Sequence, residues 1–189
     1  MMEAHVTKAT PLHSGRFIRL ELMEYETASG KKCFWEAAQR NTSNTAALMV
    51  ATLKPSGRVL LVRQFRPPLQ AYSLEFPAGL VDPGEQCAAT AVRELLEETG
   101  YIGKVIWETG ACASSPGITG ELVSMVFMEV DETLPENKLH RQNLQDNEEI
   151  EVLAVPLSQL SEIILAALKR GDVVCSRLVL WAASQGVRW

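Results

Sequence analysis

The sequence predicts an α+β fold in which a mixed β-sheet lies between helices and a β-hairpin is attached at the N-terminus. Residues 15–26 alternate between polar and apolar side chains, and a turn and a second extended segment follow at 28–37, which is the pattern of a hairpin. The apolar segments 45–53 and 58–65 are joined by a short turn and are typical of buried strands. Residues 86–99 have the spacing of an amphipathic helix.

The rest of the chain continues this succession of strands and helices. The short polar segment 41–44 forms a link, so we predict an N-terminal region at 1–44 and a main domain at 45–189. Residues 131–147 are polar and have no regular period, which predicts a long irregular loop of the kind that often carries function. The remaining predicted elements are strands at 105–112, 121–130 and 149–155 and helices at 157–168 and 175–184.

The composition excludes several classes of protein. Hydrophobic residues make up 47% and charged residues 22% of the 189 positions, which is ordinary for a globular protein. The net charge of −5 argues against a nucleic-acid partner, whose phosphates require a basic surface. No apolar segment approaches the roughly 18 residues of a membrane span, and the N-terminus has no secretory pattern, so no membrane partner is expected. The four cysteines form no CxxC pair and the three histidines form no ligand pattern, which predicts a reduced, cytoplasmic protein without a zinc site.

The helix predicted at 86–99 carries a cluster of carboxylates. Glu94 and Glu98 lie one turn apart on one face, Glu97 lies beside them, and Glu85 precedes the first turn. Such carboxylates repel one another unless cations neutralise them: Arg93 can pair with Glu85, and the others can hold a hard dication such as Mg²⁺. Taken alone, three glutamates on a helix more often form a solvated acidic face. The stripe predicted to pack on the sheet comprises Ala88, Ala91, Val92 and Leu95.

The spacing of this segment decides between the two interpretations. It matches the Nudix box, Gly-x5-Glu-x7-Arg-Glu-U-x-Glu-Glu-x-Gly-U, in which U is a bulky apolar residue. Residues 63–68, 74–79, 115–117 and 147–152 also resemble segments of the ADP-ribose (ADP-sugar) pyrophosphatase subgroup of Nudix hydrolases. The matched box positions are Gly79, Glu85, Arg93, Glu94, Glu97, Glu98 and Gly100, with the aromatic Tyr101 at the last apolar position.

The resemblance implies a Nudix fold and an activity. A member of this subgroup would hydrolyse the pyrophosphate bond of ADP-ribose, or of a related nucleoside diphosphate sugar, to AMP and ribose 5-phosphate. The implied cofactor is Mg²⁺, with Mn²⁺ as a possible substitute, and the implied assembly is a homodimer in which the region 1–44 mediates dimerisation and contributes to base binding. The alternatives are another substrate, such as UDP-glucose, ADP-glucose or an oxidised nucleoside diphosphate, and a non-catalytic nucleotide-sensing protein on the same fold.

The resemblance also assigns the metal site and the catalytic residues. The metal ligands would be the carboxylates of Glu94, Glu97 and Glu98 with the backbone carbonyl of Ala78. Glu148 would be the general base, with Glu149 and Glu151 as rivals for that role, and Glu97 and Arg93 would complete the catalytic set. The structural residues of the box would be Gly79, Glu85 and Gly100.

The substrate-binding residues implied by the resemblance lie outside the box. Phe17 and Trp35 resemble an aromatic pair that clamps the adenine and comes from different subunits, with Arg40 nearby. Arg66 would reach the pyrophosphate, and Pro116 occupies the position of a proline associated with the ADP-ribose subgroup. Without the resemblance, Trp35 in a strand would more often be a core residue, and Glu148 could equally belong to a solvated loop.

Overall fold

The computed structural model describes residues 3–188, which form two β-sheets and four α-helices within that range. The smaller sheet is antiparallel and contains β1 (His5–Ser14), β2 (Ile18–Glu26) and β3 (Lys32–Arg40) in that order. Strands β2 and β3 are the predicted N-terminal hairpin, which is confirmed.

Strand β1 is an addition that the sequence did not reveal. Nearly all of its residues are exposed, and its pairing with β2 has two irregularities in register. A strand that buries neither face needs no alternation of polar and apolar residues, so the usual signal is missing. Pro11 lies within β1, and this position is compatible with an edge strand, where a missing N–H need not disrupt a ladder.

The larger sheet has eight strands and is mixed, as predicted. The strand order is β11-β6-β5-β4-β9-β8, with β10 paired to β5 and β7 paired to β4; β4 runs parallel to β9, and β11 runs parallel to β6. Its strands are β4 (Thr45–Lys54), β5 (Val59–Arg66), β6 (Ala71–Glu75), β7 (Ala78–Leu80), β8 (Gly103–Ala113), β9 (Leu122–Asp131), β10 (Ile150–Val155) and β11 (Val173–Val174).

Helices cover both faces of the larger sheet, so the predicted arrangement of a sheet between helices is confirmed. The helices are α1 (Cys87–Thr99), α2 (Pro135–Leu139), α3 (Leu160–Arg170) and α4 (Ser176–Ser184), with single 3-10 turns at Pro67–Leu69 and Leu157–Gln159. Strand β4 shows how two cores arise: Leu48 and Val50 pack with α3 and α4, whereas Met49 and Ala51 pack with α1. Successive residues of a strand point to opposite faces, so an uninterrupted apolar strand serves both cores.

The segment predicted as an irregular loop at 131–147 contains the short helix α2. Within it, Asn137 is only 3% exposed and connects three backbone groups. Its amide oxygen accepts from the Ile102 N–H at 2.7 Å, and its Nδ2 donates to the carbonyls of Ile102 and Asp131, both at 2.9 Å. A buried amide with its partners satisfied fixes the segment at its N-terminal end, before the glutamates at 148 and 149.

Within residues 3–188, no helix combines the length and the apolar character that crossing a membrane requires.

Candidate active site

Helix α1 carries the carboxylates of the site. It begins after Gln86 and ends at Gly100, whose φ of 75° gives the left-handed cap that glycine favours. Ala91 and Leu95 are fully buried against the sheet, as the stripe predicted. The prediction was wrong for Val92, which is 39% exposed, because the buried stripe is rotated toward Glu98, itself only 5% exposed.

The backbone of strand β7 packs against the face of α1 that carries Glu94 and Glu98. The Ala78 N–H donates to Glu98 Oε2 at 3.1 Å. At Gly79, an added Cβ would overlap the side chain of Glu94, so the close approach of β7 to α1 requires glycine at this position. The glycine at the start of the box thus lets a carboxylate of the helix lie directly beneath the strand.

The burial of the carboxylates disfavours their charged forms. Burial raises the pKa of Glu98 to about 8, and the nearby charges of Glu94 and Glu148 add to this shift. Burial also raises the pKa of Glu94. Carboxylates that are costly to ionise without a counter-charge are suited to binding a cation, which restores the charged form.

Arg93 donates hydrogen bonds to three carboxylates and lies 3.9 Å from a fourth, that of Asp82. Its Nη2 lies 3.0 Å from Glu85 Oε2, and its Nη1 lies 2.7 Å from Glu94 Oε1 and 3.3 Å from Glu97 Oε2. Arg93 and a hydrogen bond from Thr90 lower the pKa of Glu85 to about 2, so Glu85 is ionised at neutral pH. The pair Glu85–Arg93 ties the loop before α1 to the middle of the helix.

The donor set near α1 fits a hard dication. It consists of the carboxylate oxygens of Glu94, Glu97 and Glu98, which are ligands that Mg²⁺ prefers. Within residues 3–188, however, no three acidic, histidine or cysteine side chains converge in a metal-binding arrangement. Arg93 Nη1 instead donates to Glu94 Oε1 at 2.7 Å and to Glu97 Oε2 at 3.3 Å. A cation shared by Glu94, Glu97 and Glu98 would therefore compete with Arg93 for these carboxylates.

The loop after α2 docks on the C-terminal end of α1. Gln142 Nε2 donates to the carbonyls of Glu98 at 2.7 Å and Ile150 at 2.8 Å, and the Asn143 N–H donates to the carbonyl of Glu97 at 2.8 Å. These bonds satisfy helix carbonyls that have no partner within α1. At Gly100, a Cβ would lie 2.5 Å from the Arg141 nitrogen, so this glycine is required by close packing as well as by its φ.

The docked loop carries Glu148 toward the acidic face of α1. The Glu148 side chain is half-buried, and its charge contributes to the raised pKa values of Glu94 and Glu98. Glu148 Oε2 accepts from the Gln145 N–H at 2.9 Å, which holds the carboxylate in a local turn. By contrast, Glu149 is exposed, and Glu151 lies 3.5 Å from Arg63 on β5.

A cavity of about 930 Å³ opens beside Ala78 and Gly79, on the side away from α1. Two of the predicted substrate residues line it, and each is paired with a glutamate: Arg40 with Glu121 at 3.1 Å, and Arg66 with Glu75 at 2.8 Å. The volume lies in the range of sites that enclose a ligand of nucleotide size.

The aromatic residues predicted to clamp a base are far apart within one chain. Trp35 is 51% exposed, lies opposite Met23 in the small sheet and donates its Nε1 to the Gly117 carbonyl at 3.2 Å. Phe17 is 69% exposed and bonds through its carbonyl to the Asn41 N–H. The two positions are six residues apart along the ladder, roughly 20 Å at strand spacing. One chain therefore cannot close both rings on the same base.

Pro116 lies in a turn beside the cavity and not in the lining of the cavity. It occupies the second position of a turn closed by the hydrogen bond from the Ile118 N–H to the Ser115 carbonyl, a position that proline favours. The turn presents Ser114 and Ser115 to the cavity, whereas Pro116 is exposed and lies outside the lining.

Several lining residues were missed by the sequence analysis. Glu75 and Ser115 lie in segments that resemble the subgroup but were given no role there, and the other residues lie in segments whose pattern describes only a strand, a turn or a helix. They are Glu75, Ser114, Ser115, Glu121, Cys175 and Arg177.

The family model of the NUDIX domain matches residues 42–175. The chain belongs to the Nudix hydrolase family. It is 35% identical over 171 residues to an ADP-ribose pyrophosphatase of Saccharomyces cerevisiae, covering 86% of this chain and 74% of the yeast protein. It is also 33% identical over 162 residues to an ADP-sugar pyrophosphatase of Mus musculus, covering 82% of this chain and 74% of the mouse protein.

Other relatives extend the comparison to bacteria and to solved structures. An ADP-ribose pyrophosphatase of Bacillus subtilis is 32% identical over 154 residues, covering 81% of this chain and 78% of that protein. The crystal structure of an ADP compounds hydrolase superposes with a TM-score of 0.64 at 20% identity, covering 87% of this chain and 84% of that one. At this identity the structural likeness establishes the Nudix fold alone.

Proposed function

We propose that this Nudix hydrolase cleaves the pyrophosphate bond of ADP-ribose, or of a closely related ADP-sugar, to AMP and the sugar phosphate. The observation that carries the proposal is the position of the buried Glu94–Glu98 cluster directly beneath the Ala78–Gly79 strand that also forms a wall of the arginine-lined cavity. A diphosphate lying across this strand would have carboxylates on one side and guanidinium groups on the other. The names of the yeast, mouse and Bacillus subtilis relatives support the adenosine diphosphate part of the proposal.

The chain's own residues would bind and orient the substrate. Arg66, fixed by Glu75, places a positive charge near the diphosphate without having to reorganise during the reaction. Glu148 is the carboxylate that can accept a proton from the attacking water, because the loop holds it near Glu94 and Glu98 while Glu149 stays exposed. Trp35, which lies outside the lining of the cavity and contacts the turn at Gly117, would stack on the base.

The metal site would be formed by Glu94, Glu97, Glu98 and the carbonyl of Ala78. Mg²⁺ bound there would neutralise the diphosphate and lower the pKa of a coordinated water. Glu98, whose pKa is raised to about 8, would become ionised on binding, and Glu94 and Glu97 would leave Arg93. Arg93 would then remain paired with Glu85, holding the loop before α1 in place.

The assembly that we propose is a homodimer formed through the small sheet. Phe17 and Trp35 can meet on one base only if they come from two copies, because they are too distant within one chain. The sheet also exposes large apolar side chains that a second copy would cover, including Val6, Leu12, Ile18 and Phe34, each between 49% and 62% exposed. A purely monomeric mass in sedimentation analysis would contradict the dimer.

The four free cysteines suit the reducing cytoplasm, which we propose as the location of the protein.

The function is tested by identifying the products. The protein is incubated with ADP-ribose and Mg²⁺, and the mixture is separated by ion-exchange chromatography. AMP and ribose 5-phosphate in equal amounts, formed with Mg²⁺ and not with EDTA, are the expected result. Adenosine or free phosphate as primary products would place cleavage at another bond and overturn the proposal.

Replacing Trp35 by alanine is expected to raise the KM for ADP-ribose about tenfold or more with a smaller change in kcat, because base stacking contributes roughly 1–3 kcal/mol. The matched control is Trp35→Phe, which keeps an aromatic face and removes only the hydrogen bond to Gly117. We expect this control to retain most of the affinity. Equal loss in both variants would show that the bond to Gly117, rather than stacking, is what matters.

A further inference from the structure

Arg177 is the one arginine in the lining of the cavity that has no carboxylate partner among residues 3–188. Arg40 and Arg66 are paired with Glu121 and Glu75, so their charges are largely compensated. Arg177 instead donates from Nη2 to the hydroxyl of Ser114 at 2.7 Å. Its positive charge is therefore available in the cavity, and the side chain is half-buried, where screening by solvent is reduced.

The donors of Arg177 are also largely free. A guanidinium has five N–H donors, and a single one is used in the bond to Ser114. Ser114 accepts that bond and keeps its own hydroxyl hydrogen for another acceptor. Together the two side chains present several hydrogen-bond donors and one net positive charge, an arrangement that suits the oxygens of a phosphate group.

The position of Arg177 relates it to the diphosphate. It lies in the first turn of α4 and lines the same cavity as Ala78 and Gly79, the strand beneath which Glu94 and Glu98 lie. Ser114 directly precedes the turn whose Gly117 carbonyl accepts from Trp35. The pair Arg177–Ser114 therefore lines the same cavity as the Ala78–Gly79 strand, next to the loop that contacts Trp35.

We propose that Arg177, oriented by Ser114, binds the diphosphate of the substrate and is a determinant of its affinity. This inference rests on the proposed function for the identity of the ligand. The ligand chemistry is a diphosphate diester or an ADP moiety. The guanidinium adds an unpaired positive charge to those of Arg40 and Arg66, which are each paired with a glutamate.

The test compares Arg177→Ala and Arg177→Lys with the wild type in steady-state hydrolysis of ADP-ribose with Mg²⁺. The alanine variant is expected to raise KM about 10- to 100-fold, the range for losing charge-assisted hydrogen bonds, while kcat changes less. The lysine variant should recover part of the affinity, because it restores the charge without the planar set of donors. The KM of the wild type should also rise more steeply with salt than that of the alanine variant.

Two control variants separate binding from a purely structural role. Ser114→Ala removes the partner of the guanidinium and leaves its charge, so its KM should rise much less than that of Arg177→Ala. Lys169→Ala removes an exposed charge at the end of α3 and should behave as the wild type. If Ser114→Ala matches Arg177→Ala, or if Arg177→Ala keeps a KM within about twofold of wild type, the inference is overturned.

A calorimetric titration of the protein with ADP in EDTA measures the contribution of Arg177 to binding independently of turnover. The wild type should bind ADP about tenfold or more tightly than Arg177→Ala. If the wild type hydrolyses no ADP-sugar but shows this difference in ADP affinity, the proposed function fails and the diphosphate site stands. If hydrolysis is normal and the ADP affinities are equal, the proposed function stands and the role of Arg177 is refuted.

Discussion

Glu98→Gln is expected to lower kcat for ADP-ribose by about 10³-fold or more, because the loss of a metal ligand removes several kcal/mol of transition-state stabilisation. The substitution keeps the shape of the side chain, and its amide oxygen can still accept from the Ala78 N–H. The fold should therefore survive while the charge that would hold Mg²⁺ is lost. Turnover is measured at saturating substrate over a range of Mg²⁺ concentrations.

The stability of the metal-free protein gives a second readout for Glu98. The pKa of the Glu98 carboxyl is raised from 4.5 to about 8, so the folded protein favours its neutral form. The free energy of unfolding that this preference contributes is fully present below pH 4.5 and is lost as the pH rises through about 8. Glutamine is neutral at every pH and avoids this loss. In EDTA at pH 8, Glu98→Gln should therefore unfold at a temperature no lower than the wild type, and Mg²⁺ should stabilise it less.

The matched control is Glu162→Gln, which removes an exposed carboxylate from the first turn of α3. It should leave both turnover and the response to Mg²⁺ at wild-type levels. Wild-type turnover in Glu98→Gln would refute the role of Glu98 in metal binding. A large drop in thermal stability in EDTA would instead assign Glu98 to the fold.

Glu148→Gln is expected to lower kcat by about 10²- to 10⁴-fold, the usual contribution of a general base. The amide oxygen of glutamine can still accept from the Gln145 N–H, so the local turn should persist. KM should change little, because Glu148 is expected to act on the attacking water and not to hold the substrate. The experiment measures kcat and KM for ADP-ribose with Mg²⁺ in the wild type and the variant.

The neighbouring glutamates provide the comparison for Glu148. Glu149 is exposed and Glu151 lies near Arg63, so Glu149→Gln and Glu151→Gln should each lower kcat by less than about threefold. A larger loss in either of them than in Glu148→Gln would transfer the role of the base to that residue.

The parts of the site that are close in sequence could be predicted, because their geometry follows from helical spacing. Glu94 and Glu98 lie on one side of α1, and Gly100 caps it, as their positions in the box indicate. The rotation of the buried stripe toward Glu98 could not be predicted, since it depends on how β7 approaches the helix at Gly79. Val92 was misplaced for this reason.

The parts that meet across long separations could not be predicted. Gln142 bonds to the carbonyl of Glu98 over 44 residues, and Arg177 bonds to Ser114 over 63 residues. Neither contact leaves a periodic signal in its own segment. Strand β11 has two residues and β7 has three, too few for an alternation to be visible, and β1 buries neither face.

The preference for ADP-ribose and the need for a metal are both measured by kcat/KM over a panel of diphosphates, with Mg²⁺ and with EDTA. The panel contains ADP-ribose, ADP-glucose, UDP-glucose, NADH and 8-oxo-dGDP. We expect ADP-ribose, or ADP-glucose close behind it, to have the highest kcat/KM and EDTA to abolish the activity. A preference for UDP-glucose or 8-oxo-dGDP, or turnover that persists in EDTA, would contradict this expectation.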